Sequence, residues 1–273
     1  MDWSKAKTIL IISFLLLNIF WFLTIMLSES EGVIQSDYIV YAEEYLRSKE
    51  ITIDTKIPKN SPNTGKIIYT PREYDIDSIA KGVFDKEVSI PVGEDTFIIE
   101  MDRKSLELSD KELIIVDELS NAKNNFDSEN KLEDLIFSYL KSLGYKKSDL
   151  TGGLIKTFST SKEYEYTVKY RDALLFDLII NAEINNEGIL TLSVPVWDIK
   201  KGNEKNELLS MYQILVMANL PSGSVIENVV FGYKQLFEGD LYGNPIWQVT
   251  LDSGRIIYYN AYTGEEIDNG IIE

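Results

Sequence analysis

The side chains that most enzymes use for chemistry are missing from this chain. It has no histidine and no cysteine, which removes the usual general bases, thiol nucleophiles and zinc ligands. A Ser–Lys dyad or a pair of carboxylates could still hydrolyse a polymer. With 44 Asp plus Glu in 273 residues, some carboxylate pair always falls at a suitable separation, and no spacing singles one out. We therefore expect no catalytic residue, with a hydrolase as the alternative.

The spacing of the acidic residues and of the glycines defines neither a metal site nor a nucleotide site. The calcium-loop pattern is absent, and Asp75-Ile76-Asp77 is only a fragment of it. Gly65-Lys66 lacks the upstream glycine and the following Ser or Thr of a phosphate-binding loop, and no G-x-S-x-G nucleophile elbow occurs. We expect no metal and no cofactor, with a calcium site as the less favoured alternative.

The charge balance argues against one class of partner. The chain has 27 Lys plus Arg against 44 Asp plus Glu, a net charge of −17 and a pI near 4.5. Nucleic acid would be repelled, so no nucleic-acid partner is expected. The hydrophobic content of 44% is that of a folded protein rather than a disordered tail.

Aromatic residues could serve a function because Tyr and Trp either fill a core or anchor a protein contact. The two-residue period of a strand places Tyr164 and Tyr166 on one face. Core packing is the favoured interpretation, with a contact surface as the alternative. The aromatics on predicted strands are Tyr164, Tyr166, Tyr170, Trp197, Tyr233, Trp247, Tyr258 and Tyr259.

The first element along the chain is an apolar N-terminal segment. Residues 8–28 contain no charged side chain and have about the ~20 residues that cross a bilayer as a helix. Lys5 and Lys7 precede the segment, whereas acidic residues follow it. The positive-inside rule then predicts a cytoplasmic N-terminus at 1–7, a single transmembrane helix at 8–28, and an extracellular remainder at the cell membrane.

A cleaved signal peptide is the alternative, because Ser28-Glu29-Ser30 is a small-x-small triplet of the kind that signal peptidase accepts. Apolar regions of signal peptides are typically ~7 to 15 residues long, so the longer run favours a retained anchor. A lipid anchor on cysteine is excluded because the chain has none.

One stripe of the predicted helix is a candidate contact face. Ile11, Phe14, Asn18, Trp21 and Ile25 are spaced 3, 4, 3 and 4 residues apart, which aligns them along one side. An amide in hydrocarbon is costly unless another helix satisfies it, so Asn18 favours docking against a partner helix. The alternative is that any apolar helix supplies such a stripe and that Asn18 bonds locally.

After residue 29 the sequence alternates between helical and strand periodicity, which predicts an α+β fold of antiparallel sheets, each covered by helices. A polar stretch at 120–130 favours two lobes, residues 29–122 and 123–273. In the second lobe, a helix followed by a meander is predicted twice.

The predicted helices are Ser36–Lys49, Asp75–Phe84, one that Ser128 caps and Gly144 ends, and Glu207–Leu220. The predicted strands are Ile51–Asp54, Lys66–Thr70, Glu87–Pro91, Thr96–Met101, Ser105–Leu108, Glu112–Val116, Leu154–Phe158, Glu163–Tyr170, Leu174–Ile184, Ile189–Trp197, Val225–Leu236, Ile246–Leu251 and Arg255–Asn260, with a short tail near Glu265. Asn185-Asn186-Glu187-Gly188 and Asp252-Ser253-Gly254 are predicted hairpin turns.

The chain opens with Met1-Asp2-Trp3-Ser4-Lys5-Ala6-Lys7-Thr8-Ile9 and continues through Phe14-Leu15-Leu16-Leu17-Asn18-Ile19-Phe20. This N-terminal sequence resembles that of the YycI family. This family comprises membrane-anchored regulators of the WalK/WalR (YycG/YycF) two-component system. The resemblance implies a non-enzymatic regulator of cell-wall metabolism that acts with a YycH-like protein and a WalK (YycG)-type sensor histidine kinase through transmembrane helices. It implies no catalytic, cofactor-binding or metal-binding residue.

The C-terminal segment resembles a second family. Trp247-Gln248-Val249 and the later Ala261-Tyr262-Thr263-Gly264-Glu265 look like the end of a PepSY-type unit, a helix-covered meander. That resemblance implies a competing hypothesis, an extracytoplasmic PepSY-like binder or inhibitor of a cell-wall enzyme for which the helix is only a tether.

Overall fold

The computed structural model describes residues 3–28, 36–86, 96–119, 129–202, 207–237 and 239–267. Within these ranges the chain forms five helices, fourteen strands and a 3₁₀ turn at Lys147–Asp149. The helices are α1 (Trp3–Ser28), α2 (Ser36–Ser48), α3 (Ile76–Phe84), α4 (Glu129–Ser142) and α5 (Met211–Met217).

From α2 onward, each helix is followed by a run of two to five strands, which agrees with the mixed periodicity of the sequence. They are β1 (Thr52–Ile53), β2 (Ile67–Pro71), β3 (Phe97–Met101), β4 (Lys104–Leu108), β5 (Glu112–Glu118), β6 (Leu150–Thr157), β7 (Ser161–Tyr170), β8 (Ala173–Asn185), β9 (Ile189–Pro195), β10 (Trp197–Lys201), β11 (Val225–Lys234), β12 (Tyr242–Leu251), β13 (Ile256–Asn260) and β14 (Glu266–Ile267).

Local side chains explain where the helices begin and end. Asp75 caps α3 by accepting a hydrogen bond from the backbone N–H of Ser78, and Gly144 takes a positive φ of 86° just after α4. The end at Gly144 was predicted, whereas the sequence left Asp75 and Asp77 as alternative caps for α3. The predicted helix Glu207–Leu220 was too long, because Ser210 and Gln213 form a capping box that starts α5 at Met211.

The hairpin predicted at Asn185–Gly188 is confirmed, since its Asn185 side-chain oxygen accepts hydrogen bonds from the backbone N–H groups of Glu187 and Ile189. The strand predicted at Glu87–Pro91 and the cap predicted at Ser128 lie outside the described residues.

The chain divides into two compact units, each built from separate stretches of sequence. Of the described residues, 3–64, 207–229 and 249–267 belong to the first unit and 65–202, 230–237 and 239–248 to the second. Both units therefore draw on residues from each predicted lobe. The predicted boundary at residue 122 lies among residues outside the described ranges, and the division at that point stays a prediction.

The second unit is organised around seven antiparallel strands in the order β6-β7-β8-β9-β5-β4-β3. Their registers align so that one side chain from each strand falls in a single row across the sheet. The row is Leu154, Tyr164, Ala182, Leu192, Ile115, Leu106 and Ile99, and all but Leu154 are buried.

Helices α3 and α4 supply the apolar surface that this row needs. They pack against each other, and α3 packs against β4. Val83 of α3 and Ile136 and Leu140 of α4 are fully buried in the same core cluster as the strand residues. The ring of Phe137 contacts the ring of Tyr166 on β7 edge-on, with centroids 5.3 Å apart.

The expectation of purely antiparallel sheets is wrong in two places. β11 pairs parallel with β8, with Gly232 opposite Leu174 and Tyr233 opposite Leu175, and it also pairs parallel with β1. Parallel neighbours require a long crossover between them. The chain provides one, because β9, β10 and α5 separate β8 from β11.

The first unit contains the helices α2 and α5 and the short strands β1, β13 and β14. The two helices pack against each other, and Ala42 and Leu46 of α2 and Met211 and Leu215 of α5 are buried. The Tyr212 hydroxyl donates a hydrogen bond to the Glu43 carboxylate, at 3.2 Å.

The N-terminal helix α1 is continuous from Trp3 to Ser28. Among the described residues, no helix combines the length and the apolar character that crossing a membrane requires.

Replacing Gly152 with alanine should lower the free energy of unfolding by about 2–4 kcal/mol. The φ of Gly152 is +125°, and an added Cβ would lie 2.1 Å from the Glu165 carbonyl oxygen. Gly223 is a matched control, because its φ is +83° but no described atom lies within 4 Å of the added Cβ. Gly223→Ala should cost about 1 kcal/mol. Equal shifts in the urea midpoint of tryptophan fluorescence would contradict the steric account.

Candidate functional site

The predicted contact stripe lies entirely on α1. The helix brings Ile11, Phe14, Asn18, Trp21 and Ile25 onto one side. Ile11, Phe14 and Trp21 are 57%, 66% and 59% exposed, whereas the side chain of Ile25 is outside the described side chains. The Asn18 amide donates a hydrogen bond to the Phe14 carbonyl oxygen, at 3.0 Å. Asn18 therefore has a local bond, and its role in a partner contact stays a prediction.

Apolar exposure on α1 extends beyond the stripe. Side chains on the remaining faces, such as Leu10, Leu16 and Phe20, are also exposed. The stripe is distinguished within this surface by its one amide.

The predicted strand aromatics are mostly core residues. Tyr164, Tyr166, Tyr233, Trp247 and Tyr259 are buried, and Tyr164 and Tyr166 share a face as predicted. The remaining three, Tyr170, Trp197 and Tyr258, are half-buried.

Three of these tyrosine hydroxyls are unusual, because those of Tyr164, Tyr166 and Tyr259 find no hydrogen-bond partner among the described residues. Burial and the nearby carboxylates of Glu129 and Glu133 raise the pKa of Tyr164 to about 12.

A buried polar cluster joins α4 to the sheet. Asp117, 5% exposed on β5, accepts a short hydrogen bond from the Tyr139 hydroxyl of α4. The Lys104 ammonium lies 3.9 Å from the same carboxylate and donates to the Val83 carbonyl oxygen at 2.7 Å. Burial, followed by the bond to Asp117, raises the pKa of Tyr139 well above its usual value.

This cluster is best explained as a structural tie. Lys104 and Tyr139 line a cavity of about 480 Å³, but the Lys104 ammonium is already used at the C-terminal end of α3 and the Tyr139 proton is held by Asp117. Each donor therefore has its acceptor inside the fold. The sequence contained a signal for Asp117, because it continues the two-residue period of the buried Leu113 and Ile115 on β5.

A second carboxylate, Asp177, connects two further parts of the second unit. It accepts hydrogen bonds from the Lys234 ammonium, at 3.0 Å, and from the backbone N–H of Gln235. The Tyr69 hydroxyl of β2 lies 3.5 Å away. Burial and then the Asp177 charge raise the pKa of Tyr69 above its usual value.

Neither cluster has the form of a metal site. Among the described residues there is no group of three or more carboxylates placed to hold a metal ion.

Comparisons with known proteins identify one family. A family model described as YycI protein matches residues 30–262. A search of curated proteins finds no significant match.

Two solved structures resemble the chain. A protein from Eubacterium rectale, described as uncharacterized, is 13% identical over 80% of this chain and 90% of its own, with a TM-score of 0.45. The C-terminal domain of YpeB from Bacillus megaterium is 10% identical over 72% of this chain and 97% of its own, with a TM-score of 0.39.

Replacing Tyr139 with phenylalanine should lower the free energy of unfolding by about 1–3 kcal/mol, because the buried Asp117 loses a hydrogen-bond donor. Tyr164→Phe is the matched control, since the Tyr164 hydroxyl is buried without a partner among the described residues. That change should be neutral or slightly stabilising. Urea unfolding of both variants measures the difference, and a larger loss in Tyr164→Phe would contradict the assignment.

The free energy of unfolding should fall as pH rises from 10 to about 12. The pKa values of Tyr164 and Tyr259 are raised from 10.0 to about 12, so the unfolded chain loses these protons first and is favoured in that window. Tyr164→Phe should reduce the slope, because one of the two shifted hydroxyls is removed. Urea titrations across this pH range measure the slope for the native chain and the variant; an unchanged slope in Tyr164→Phe would refute the assignment.

Proposed function

The chain belongs to the YycI protein family, and from this membership we propose that it is a non-enzymatic regulator of a WalK (YycG)-type sensor histidine kinase that controls cell-wall metabolism. The match over residues 30–262 is the observation that carries the proposal. It includes most of both units. The polar clusters of the second unit agree with a regulatory role, because their donors and acceptors satisfy one another.

The proposal includes a membrane anchor at residues 8–28, with residues 1–7 in the cytoplasm and the remainder outside the cell. Two features support it. The segment has no charged side chain, and two lysines, Lys5 and Lys7, lie just before it, whereas acidic residues follow it. Its described apolar side chains are exposed, which is costly in water and favourable in lipid.

The stripe of Ile11, Phe14, Asn18, Trp21 and Ile25 is the proposed contact with a partner transmembrane helix. Asn18 keeps a carbonyl oxygen and one N–H beyond its bond to Phe14. In hydrocarbon, such groups stabilise a helix pair by about 1–2 kcal/mol. The bulky Phe14 and Trp21 on either side of Asn18 would supply the packing surface.

The proposed mechanism is a packing switch. The extracellular units pair with a YycH-like protein, and that pairing sets the position of α1 beside the helices of the kinase. A difference of ~1–3 kcal/mol between the two arrangements shifts an equilibrium about 5- to 150-fold. No bond is made or broken in this mechanism, so it needs no catalytic residue.

Single-cysteine crosslinking in membranes tests the contact. Because the chain has no cysteine, each variant carries one reactive thiol. Phe14→Cys and Trp21→Cys should crosslink to cysteines in the kinase transmembrane helices several-fold more efficiently than Leu16→Cys on the opposite side of α1. Equal efficiency at all three positions would contradict a specific stripe.

Asn18→Leu should weaken co-purification of the kinase, because the interhelical hydrogen bond is lost. Ser13→Leu is the matched control. This variant also replaces a polar side chain with leucine, but Ser13 lies about 140° around the helix from Asn18. Losses of equal size in the two variants, or no loss in either, would move the contact away from the stripe.

A further inference from the structure

The first unit contains a cavity that neither the family nor the proposed mechanism explains. It has a volume of about 420 Å³ and lies between the C-terminal half of α2, the segment after β1 and the first turn of α5. The buried Ile51 and Ile57 contribute apolar surface to it. Small-molecule sites typically have volumes of ~300–1,000 Å³, so the space suits a ligand larger than a simple ion.

Three cations line this cavity. Arg47 comes from α2, and Lys56 and Lys59 come from the segment after β1. None of the three has an ion pair or a side-chain hydrogen bond with another described residue. All three are exposed residues, so a solute that enters the cavity can reach each of them.

One carboxylate, that of Glu43, accompanies the three cations among the lining residues. It accepts a hydrogen bond from the Tyr212 hydroxyl, at 3.2 Å, which holds it at the α5 side of the cavity. The lining therefore has a formal charge of +2.

This local charge is opposite in sign to that of the whole chain. Acidic residues outnumber basic ones by 44 to 27 in the whole chain, whereas basic residues outnumber acidic ones by three to one around the cavity. An excess of cations around a cavity attracts anions from solution in spite of the negative surroundings, because only charges within about a Debye length, ~8 Å at physiological salt, act strongly.

We propose that the Arg47–Lys59 cavity binds the phosphate group of an organic phosphate ester. A phosphate monoester has a charge of about −1.5 to −2 at neutral pH, which balances the lining, whereas a carboxylate would leave an excess cation. A guanidinium binds two phosphate oxygens at once, and ammonium groups neutralise the rest. Ile51 and Ile57 then contact the organic part of the ligand.

Such a phosphate monoester has two physical sources, a soluble ester or phosphatidic acid, the phospholipid whose phosphate is also a monoester. The cavity belongs to the first unit, which also contains α1. The site itself is independent of where α1 resides, so its test stands apart from the proposed regulation of the kinase.

Calorimetric titration of the full-length chain in a neutral detergent tests the soluble source, with glycerol 3-phosphate as the probe and glycerol as the uncharged control. We expect saturable binding of the phosphate ester alone. Arg47→Gln and Lys56→Gln should each weaken it about tenfold, since each removes a charge-assisted bond. Glu43→Gln should strengthen it, because the repelling charge is lost while the acceptor for Tyr212 remains.

Lys49→Gln is the matched control for nonspecific attraction. Lys49 lies on the same unit two residues from Arg47, but it does not line the cavity. This variant should change the affinity less than twofold. Equal weakening in Lys49→Gln and Arg47→Gln would overturn the site, because it would reduce the effect to net charge.

Hydrogen exchange in nanodiscs tests the lipid source. Backbone amides of residues 51–59 should be protected in phosphatidic acid relative to phosphatidylcholine nanodiscs if the lipid phosphate is the ligand, and Arg47→Gln should abolish that protection. Binding of glycerol 3-phosphate without lipid-dependent protection assigns the site to a soluble ester. Absence of both effects refutes the proposal.

Discussion

One continuous row of side chains across seven strands determines how the second unit is built. The row joins β6 to β3 through matched registers, and six of its seven members are buried. Because side chains alternate between sheet faces, a slip of one residue in any strand would expose its buried set and bury its polar set. The helices α3 and α4 can cover only the apolar face that this register creates. The packing of these two helices on the sheet therefore depends on the strand register.

Because the chain has no histidine and no cysteine, aspartate and tyrosine side chains form the polar clusters of the second unit. Asp117 accepts a hydrogen bond from the Tyr139 hydroxyl, and Asp177 accepts one from the Lys234 ammonium. These carboxylates, which are partly or fully removed from water, are therefore compensated within the second unit. Such closed networks fix the position of α4 on the sheet and leave little reactivity. A regulator that transmits position rather than catalysing a reaction has use for rigidity of this kind. The unpaired cations of the first unit are the contrasting case.

Local chemistry explains which parts of the fold the sequence could predict. Gly144 and the turn at Asn185 act on neighbouring backbone groups, and both were predicted correctly. Asp75 also acts locally, and it was one of two caps that the sequence offered for α3. Parallel pairing of β11 with β8 was missed, because residues 232–233 meet 174–175 only after the intervening elements fold. The cavity at Arg47 was missed for the same reason, since Tyr212 and Glu43 are 169 residues apart. The α1 stripe followed from helical spacing alone.

The central claim is that α1 is a working part of the regulator rather than a tether for a cell-wall enzyme binder. Replacing residues 8–28 with an unrelated single-span helix of equal length and orientation separates the two. The swapped and native chains would be expressed at equal amounts in cells lacking the native gene, with the transcriptional output of the two-component system as the readout. The account predicts that the swapped chain behaves like the deletion. Full regulation by the swapped chain would contradict it.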